Sequence, residues 1–235
     1  MKVLINDGIS PQGEKILKDS GFEVVNSKYS QEDLPSVIAD FDAIIIRSAT
    51  QVRKELIDVS NLKVIARSGV GLDNIDVDYA KSKNIMVVNT PGASSISVAE
   101  LTIAHLMSSI RFLNRSNNEM LNGDWPKKAY SKGLEVTGKT IGILGLGNIG
   151  KEVAKRAKGL MMNVIASDPF ADGKDVDVEM VSKEDLIKSS DIITLHLPFI
   201  KDEGAVLNSS EFDKMKDGVI VMNCARGGVI DENAL

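Results

Sequence analysis

Cysteine, histidine and tryptophan are nearly missing from this chain of 235 residues: one Cys, two His, one Trp. A lone thiol, Cys224, excludes a disulfide framework and cannot by itself make a zinc site. No stretch reaches the roughly eighteen apolar residues of a membrane span. The first apolar run, Val3-Leu-Ile5, is interrupted too soon by Asp7 to serve as a signal peptide. Charge of a single sign is lacking too. A formal charge of −5, with both signs interspersed, leaves no electrostatic footprint for nucleic acid or an anionic membrane. Internal repeats and low-complexity segments are absent. These absences point to a soluble, cytoplasmic protein without nucleic-acid, membrane or metal partners. At 43% hydrophobic content the chain can bury one large core or two modest ones.

What is present is organised around Lys139–Gly150. Ile141, Ile143 and Leu144 form an apolar run suited to a buried parallel strand, which leads into Gly145-x-Gly147-x-x-Gly150. Gly145 permits the tight strand-to-helix turn, Gly147 the approach of backbone amides to a pyrophosphate, and Gly150 close helix packing. The helix that follows presents unpaired N–H groups and a positive dipole end to phosphates. A second strand, Asn163–Ser167, ends at Asp168, roughly twenty residues beyond the glycines, where an acid hydrogen-bonds the adenosine ribose. Pro169 and Phe170 follow it, with no base to welcome a 2′-phosphate, so the pattern predicts NAD rather than NADP.

Before this unit the chain alternates strand and helix. Strands are expected at Val3–Ile5, Phe22–Val25, Ala43–Ile46, Lys63–Ala66 and Ile85–Val88. Helices are expected over Pro11–Asp19, from Gln31 with Ser30 as cap, over Arg53–Asp58, and from Asp76 to Lys81. Such alternation predicts a parallel sheet covered on both faces, with ligands beyond the carboxyl ends of its strands. The basic loops Arg47–Thr50 and Arg67–Gly71 lie at such ends. Asn89–Gly92 reads as a hinge, giving domains 1–92 and 93–235. A long helix is expected from Ser97 to Asn118, capped by Ser97 and Glu100, with Val98, Leu101, Leu106, Ile110 and Leu113 at helical spacing and His105 packed among them. Trp125 reads as an anchor over apolar surface. Later elements are a helix opened by Ser182 and Asp185, a strand Asp191–Leu197, a helix Glu211–Met215 and a strand Val219–Met222. Asp231 could open a further helix, and an ending at Leu235 on its first turn looks cut rather than finished.

Hydride transfer to a nicotinamide needs a cation for the substrate carboxylate and a group to exchange the hydroxyl proton. Arg226, flanked by Gly227 and Gly228 at a strand end, suits the first, because a guanidinium forks two parallel bonds to a carboxylate. Ser68–Gly71 offers successive amides to an anion. Only His105 and His196 are available for the second. His196 ends a strand of the nucleotide unit, but its loop can equally border the adenosine half. Cys224 has no paired histidine in its motif.

These residues resemble the D-2-hydroxyacid dehydrogenases, and most closely the 3-phosphoglycerate-oxidising branch. The likeness runs through Ile45–Thr50, Val64–Asn74, Asn89–Gly92, Ser97–Glu100, Gly138–Gly150, His196–Pro198 and Met222–Glu232. It implies two doubly wound parallel-sheet α/β domains of Rossmann or flavodoxin type, the second incomplete at its carboxyl end. It implies an NAD-dependent oxidoreductase, a homodimer joined largely through the nucleotide domains, and the first step of serine synthesis. Arg226 matches the active-site arginine. Val70, Asn148, Ile149, Asp168, His196, Leu197, Pro198, Cys224 and Ala225 match cofactor positions. Arg47 and Ser48 match an anionic substrate pocket, and Val70, Gly71 and Asn74 the loop that holds the carboxylate. Ile200 and Glu203 depart from the threonines many members carry. The acid/base histidine and its glutamate have no counterpart in these residues, so a fragment of weak activity is expected. Two other readings stay open: a hydroxypyruvate, glyoxylate or 2-ketoacid reductase of the same family, and an NAD-sensing binding protein, since fold does not fix function.

Overall fold

The computed structural model describes all 235 residues, and the chain divides into two compact units, Met1–Ser94 and Ser95–Leu235. In the first, β1 (Lys2–Ile5), β2 (Glu23–Asn26), β3 (Ala43–Ile46), β4 (Val64–Arg67) and β5 (Met86–Asn89) form one parallel sheet. Its strand order, β2-β1-β3-β4-β5, is the flavodoxin-like arrangement. The connecting helices are α1 (Pro11–Asp19), α2 (Leu34–Val37), α3 (Lys54–Asp58) and α4 (Val77–Ser82). Leu4, Ile44, Ile46 and Ile65 of the strands pack with Leu34, Ile38, Leu56, Ile57 and Ala80 in one core.

The second unit opens with α5 (Ser95–Ile110) and α6 (Leu113–Leu121). Then follow β6 (Thr140–Leu144), α7 (Asn148–Gly159), β7 (Asn163–Ser167), β8 (Glu179–Met180), α8 (Lys183–Ser189), β9 (Ile192–Leu195), α9 (Ser209–Phe212) and β10 (Ile220–Asn223). The parallel sheet runs β10-β9-β6-β7-β8, the Rossmann order, with its switch point between β6 and β9. Helix α5 packs on α7, joining Ala99, Leu106 and Ile110 to Val153, Ala154 and Ala157. No single helix is long and apolar enough to cross a membrane.

Several expected elements differ. The long helix breaks at Phe112, whose φ of 55° is left-handed, and its halves meet at 65°. The buried positions of α5 are Ser95, Ala99, Thr102, Leu106 and Ile110, so Leu101 and His105 lie on the opposite, exposed face. Leu113 and Trp125 are exposed as well. Ser97 lies inside α5 rather than at its cap, and Glu100 instead pairs with Arg156 at 3.1 Å. Helix α2 starts at Leu34, after a turn in which Ser30 Oγ accepts the Asp33 N–H. Asp76 makes no cap bond to α4. Its carboxylate accepts the Lys54 N–H at 2.9 Å and pairs with Arg53, fixing the start of α3. The helix expected over Glu211–Met215 runs over Ser209–Phe212, because Asn208 and Glu211 form a reciprocal capping box that starts it two residues earlier. Residues 232–234 form a turn, not a helix.

Candidate functional site

In the second unit each glycine of the turn meets a different constraint. Gly145 has φ +93°, and a Cβ there would lie 2.6 Å from the His196 carbonyl oxygen, where the chain leaves β9. A Cβ on Gly150 would collide with the Gly145 carbonyl, so α7 seats against the turn only with glycine there. Gly147 faces open space, with no atom within 4 Å of a Cβ placed on it, at the N-cap of α7. A phosphate can therefore come up to the helix start. Asp168 ties the turn to β7: its Oδ2 accepts the Leu146 N–H at 2.7 Å and its Oδ1 the Phe170 N–H at 2.8 Å. Each oxygen keeps a lone pair for a ribose hydroxyl.

Gly145, Gly147 and Asp168 border a cavity of about 330 Å³ together with Leu197 and Pro198, and no Lys or Arg lines it. His196 lies on the same wall. Its Nε2 is 3.0 Å from Thr194 Oγ1, and its Nδ1 is buried without a partner. Burial pulls its pKa down to about 4, so the ring is neutral at neutral pH. A cavity of similar size at the amino end of the sheet, against Ile110, Val136 and Ile220, holds neither glycine turn nor ribose acid.

Beside the β9 loop, β10 ends in Asn223-Cys-Ala-Arg226, with Asn223 in register with Leu195. The Asn223 side chain holds this loop by donating to the Arg226 carbonyl at 2.8 Å and accepting the Ala225 N–H at 2.9 Å. Arg226 is half-buried, and its Nη1 donates to the Ala225 carbonyl at 2.9 Å. Gly228, with φ +84°, lies against the Phe199 ring, joining the two loops. Cys224 is a half-buried free thiol. Asn148 is exposed at the start of α7, while Ile149 packs on the core.

In the first unit, residues at the carboxyl ends of β1, β3, β4 and β5 line an open cavity of about 480 Å³, among them Asp7, Arg47, Ser68, Gly69 and Thr90. Asp7 fixes the basic loop: its carboxylate accepts the Arg47 N–H at 2.6 Å, the Thr50 N–H at 3.1 Å and the Thr50 hydroxyl at 2.7 Å. Burial works to raise the Asp7 pKa, but the Thr50 hydroxyl and the two amides outweigh it and hold the group below its usual range. The Arg47 and Ser48 side chains are exposed without partners. Asn74 is buried, and its amide donates to the Arg47 and Thr50 carbonyls at 2.8 and 2.6 Å. It shapes the loop and does not line the cavity. Val70 and Gly71 lie outside the lining too, Val70 accepting at its carbonyl from Asn89 Nδ2 at 2.7 Å.

Two residues of this region carry more than the sequence reading assigned them. Asp7 is the second residue beyond β1, and the rule that ligands sit beyond strand ends would have pointed to it. Arg67 folds its guanidinium over Gly69, which only a residue without Cβ allows, and its Nε is buried without a partner. No group of three or more His, Cys, Asp or Glu side chains is placed to hold a metal ion.

Residues 103–235 match the family model described as D-isomer specific 2-hydroxyacid dehydrogenase, NAD binding domain. A hydroxypyruvate reductase of Thermotoga maritima is 44% identical over all of this chain and 77% of its own length. A D-3-phosphoglycerate dehydrogenase of Archaeoglobus fulgidus is 43% identical over all of this chain, which spans 45% of that protein. Among solved structures, the NAD-dependent formate dehydrogenase of Staphylococcus aureus in complex with NAD superposes with a TM-score of 0.85 at 28% identity. That match covers 100% of this chain and 76% of the other.

Proposed function

The chain belongs to the D-isomer-specific 2-hydroxyacid dehydrogenases, a family of NAD-dependent oxidoreductases, and from that premise we propose that it oxidises 3-phosphoglycerate in the opening reaction of serine synthesis. NAD, when bound, supplies the hydride acceptor. The chain's residues bind and orient. The amides at the start of α7, with Gly145, Gly147, Asn148, Ile149 and Gly150, take the pyrophosphate. Asp168 takes the ribose diol, and His196, Leu197 and Pro198 border the adenosine. Arg226 forks to the substrate carboxylate. Cys224 and Ala225 set the loop that carries it, and Val70 and Gly71 offer backbone amides.

The observation that carries the choice of substrate is Arg47, exposed at the carboxyl end of β3 in the first unit. Arg47 lines the open cavity of the first unit with Ser68 and Gly69 from the end of β4 and Thr90 from the end of β5. Its guanidinium has no acidic partner, and the cavity beside it suits a phosphate. The resemblance to the Thermotoga reductase favours an unphosphorylated substrate instead. Calorimetric titration of the NAD-loaded protein with 3-phosphoglycerate and with D-glycerate separates the two. Tighter binding of the phosphorylated acid supports our reading; equal affinity, or a preference for glycerate, replaces it with the reductase.

A homodimer is part of the same proposal. Ile96, Leu101, Leu113, Met120, Leu121 and Trp125 leave more than half of their surface exposed along α5, α6 and the loop beyond. An apolar stretch of this extent marks an association surface. Sedimentation velocity at micromolar concentration reads it directly.

A further inference from the structure

The charge on the wall of the cofactor cavity is all of one sign. Asp168 and Glu203 are its two charged side chains, set among Phe170, Pro198, Ile200 and Val206. Glu203 is placed by a closed turn: its own N–H and that of Gly204 both donate to the Ile200 carbonyl, at 3.1 and 3.2 Å. Gly204, with φ +72°, lets the chain reverse there. The Glu203 side chain is exposed and makes no hydrogen bond or ion pair, so all of its acceptor capacity is open.

We propose that Glu203 is a specificity-determining residue, its carboxylate accepting a hydrogen bond from the exocyclic amine of the adenine. This rests on the reading of the cavity as the adenosine half of an NAD site. An ionised carboxylate only accepts hydrogen bonds. A ligand matched to this wall therefore has a flat apolar body and N–H or O–H donors at two places. Adenosine has both, the ribose diol for Asp168 and the 6-amino group for Glu203. A 6-oxo purine turns carbonyl lone pairs toward the carboxylate, and the bond becomes a repulsion.

The test is binding of NAD and of nicotinamide hypoxanthine dinucleotide, in which a carbonyl replaces that amine, to the purified protein and its Glu203→Gln variant. Titration calorimetry gives both constants without turnover. The unaltered protein is expected to favour NAD roughly tenfold, the scale of a charge-assisted hydrogen bond at a partly solvated site. Glutamine can accept from an amine or donate to a carbonyl, so the variant is expected to bring the ratio close to one. A thermal melt checks that the exposed substitution leaves the fold intact. A ratio near one in the unaltered protein, or one that Glu203→Gln leaves unchanged, overturns the proposal while the NAD reading stands. Binding of neither dinucleotide overturns both.

Discussion

At the scale of single residues, His196 carries the clearest electrostatic consequence. Its pKa falls from the ordinary 6.5 to about 4 because the ring is buried. In the unfolded chain the ring takes up a proton as pH drops below 6.5, while the folded protein resists until about pH 4. The stability it contributes is therefore complete above pH 6.5 and is lost as pH falls toward 4, by at most about 3 kcal/mol. Melting temperatures are expected to decline across that window, and His196→Gln to flatten the decline. The depressed carboxylates Asp7, Asp191 and Glu211 act below about pH 4.5 and are separable from it. An unaltered slope in the variant would remove His196 as its source. Arg47 is the second test at this scale. Arg47→Ala is expected to weaken 3-phosphoglycerate binding by roughly tenfold and D-glycerate binding much less. Equal losses would assign Arg47 a structural task.

The glycine turn between β6 and α7 is where an element and a function meet, and two of its glycines separate them. Gly147 has room for a methyl group and an extended backbone that any residue adopts. Gly147→Ala is expected to melt as the unaltered protein does, yet to lose most NAD binding, because the methyl stands where phosphate approaches. Gly150→Ala forces a Cβ into the Gly145 carbonyl. It is expected to cost about 1–3 kcal/mol of stability as overpacking, seen as a lower melting temperature without ligand. The reverse pattern would show that Gly147 serves the fold and Gly150 the ligand. The sequence spells out this element well, because strand, triplet, helix and acid each have a local signature. The break at Phe112 has none: the apolar spacing of Val98, Leu106, Ile110 and Leu113 continues through it. The two-residue strand β8 is too short to show a period. Gly142 passes for an ordinary strand residue, although a Cβ there would run into Ser190 and Leu186 of the packed helix segment. Such close approaches belong to tertiary packing, which local patterns do not encode.

On the scale of the whole chain, the proposed function divides between the two units: the strand ends proposed to bind the anion in Met1–Ser94, and the glycine turn with Arg226 in Ser95–Leu235. Neither histidine is set up for proton exchange. His105 is on the exposed face of α5, and neutral His196 faces Thr194. General acid–base catalysis contributes typically 10²–10⁴-fold. The 235-residue protein is therefore expected to form NADH from 3-phosphoglycerate at least about a hundredfold more slowly than the 1–10³ s⁻¹ of ordinary enzymes. Turnover in that ordinary range would mean that His196, or another group, does exchange the proton. The cofactor roles of the α7 amides, His196–Pro198 and Glu203 all depend on the cavity at Asp168 being an NAD site. The most direct measurement is calorimetric titration of the unaltered protein and of Asp168→Ala with NAD and with NADP. We expect the unaltered protein to bind NAD well and NADP poorly. The substitution is expected to weaken NAD by about 1–3 kcal/mol and to leave NADP unchanged or improved. If the unaltered protein binds NADP as tightly as NAD, Asp168 does not read the ribose and the assignment of the site fails.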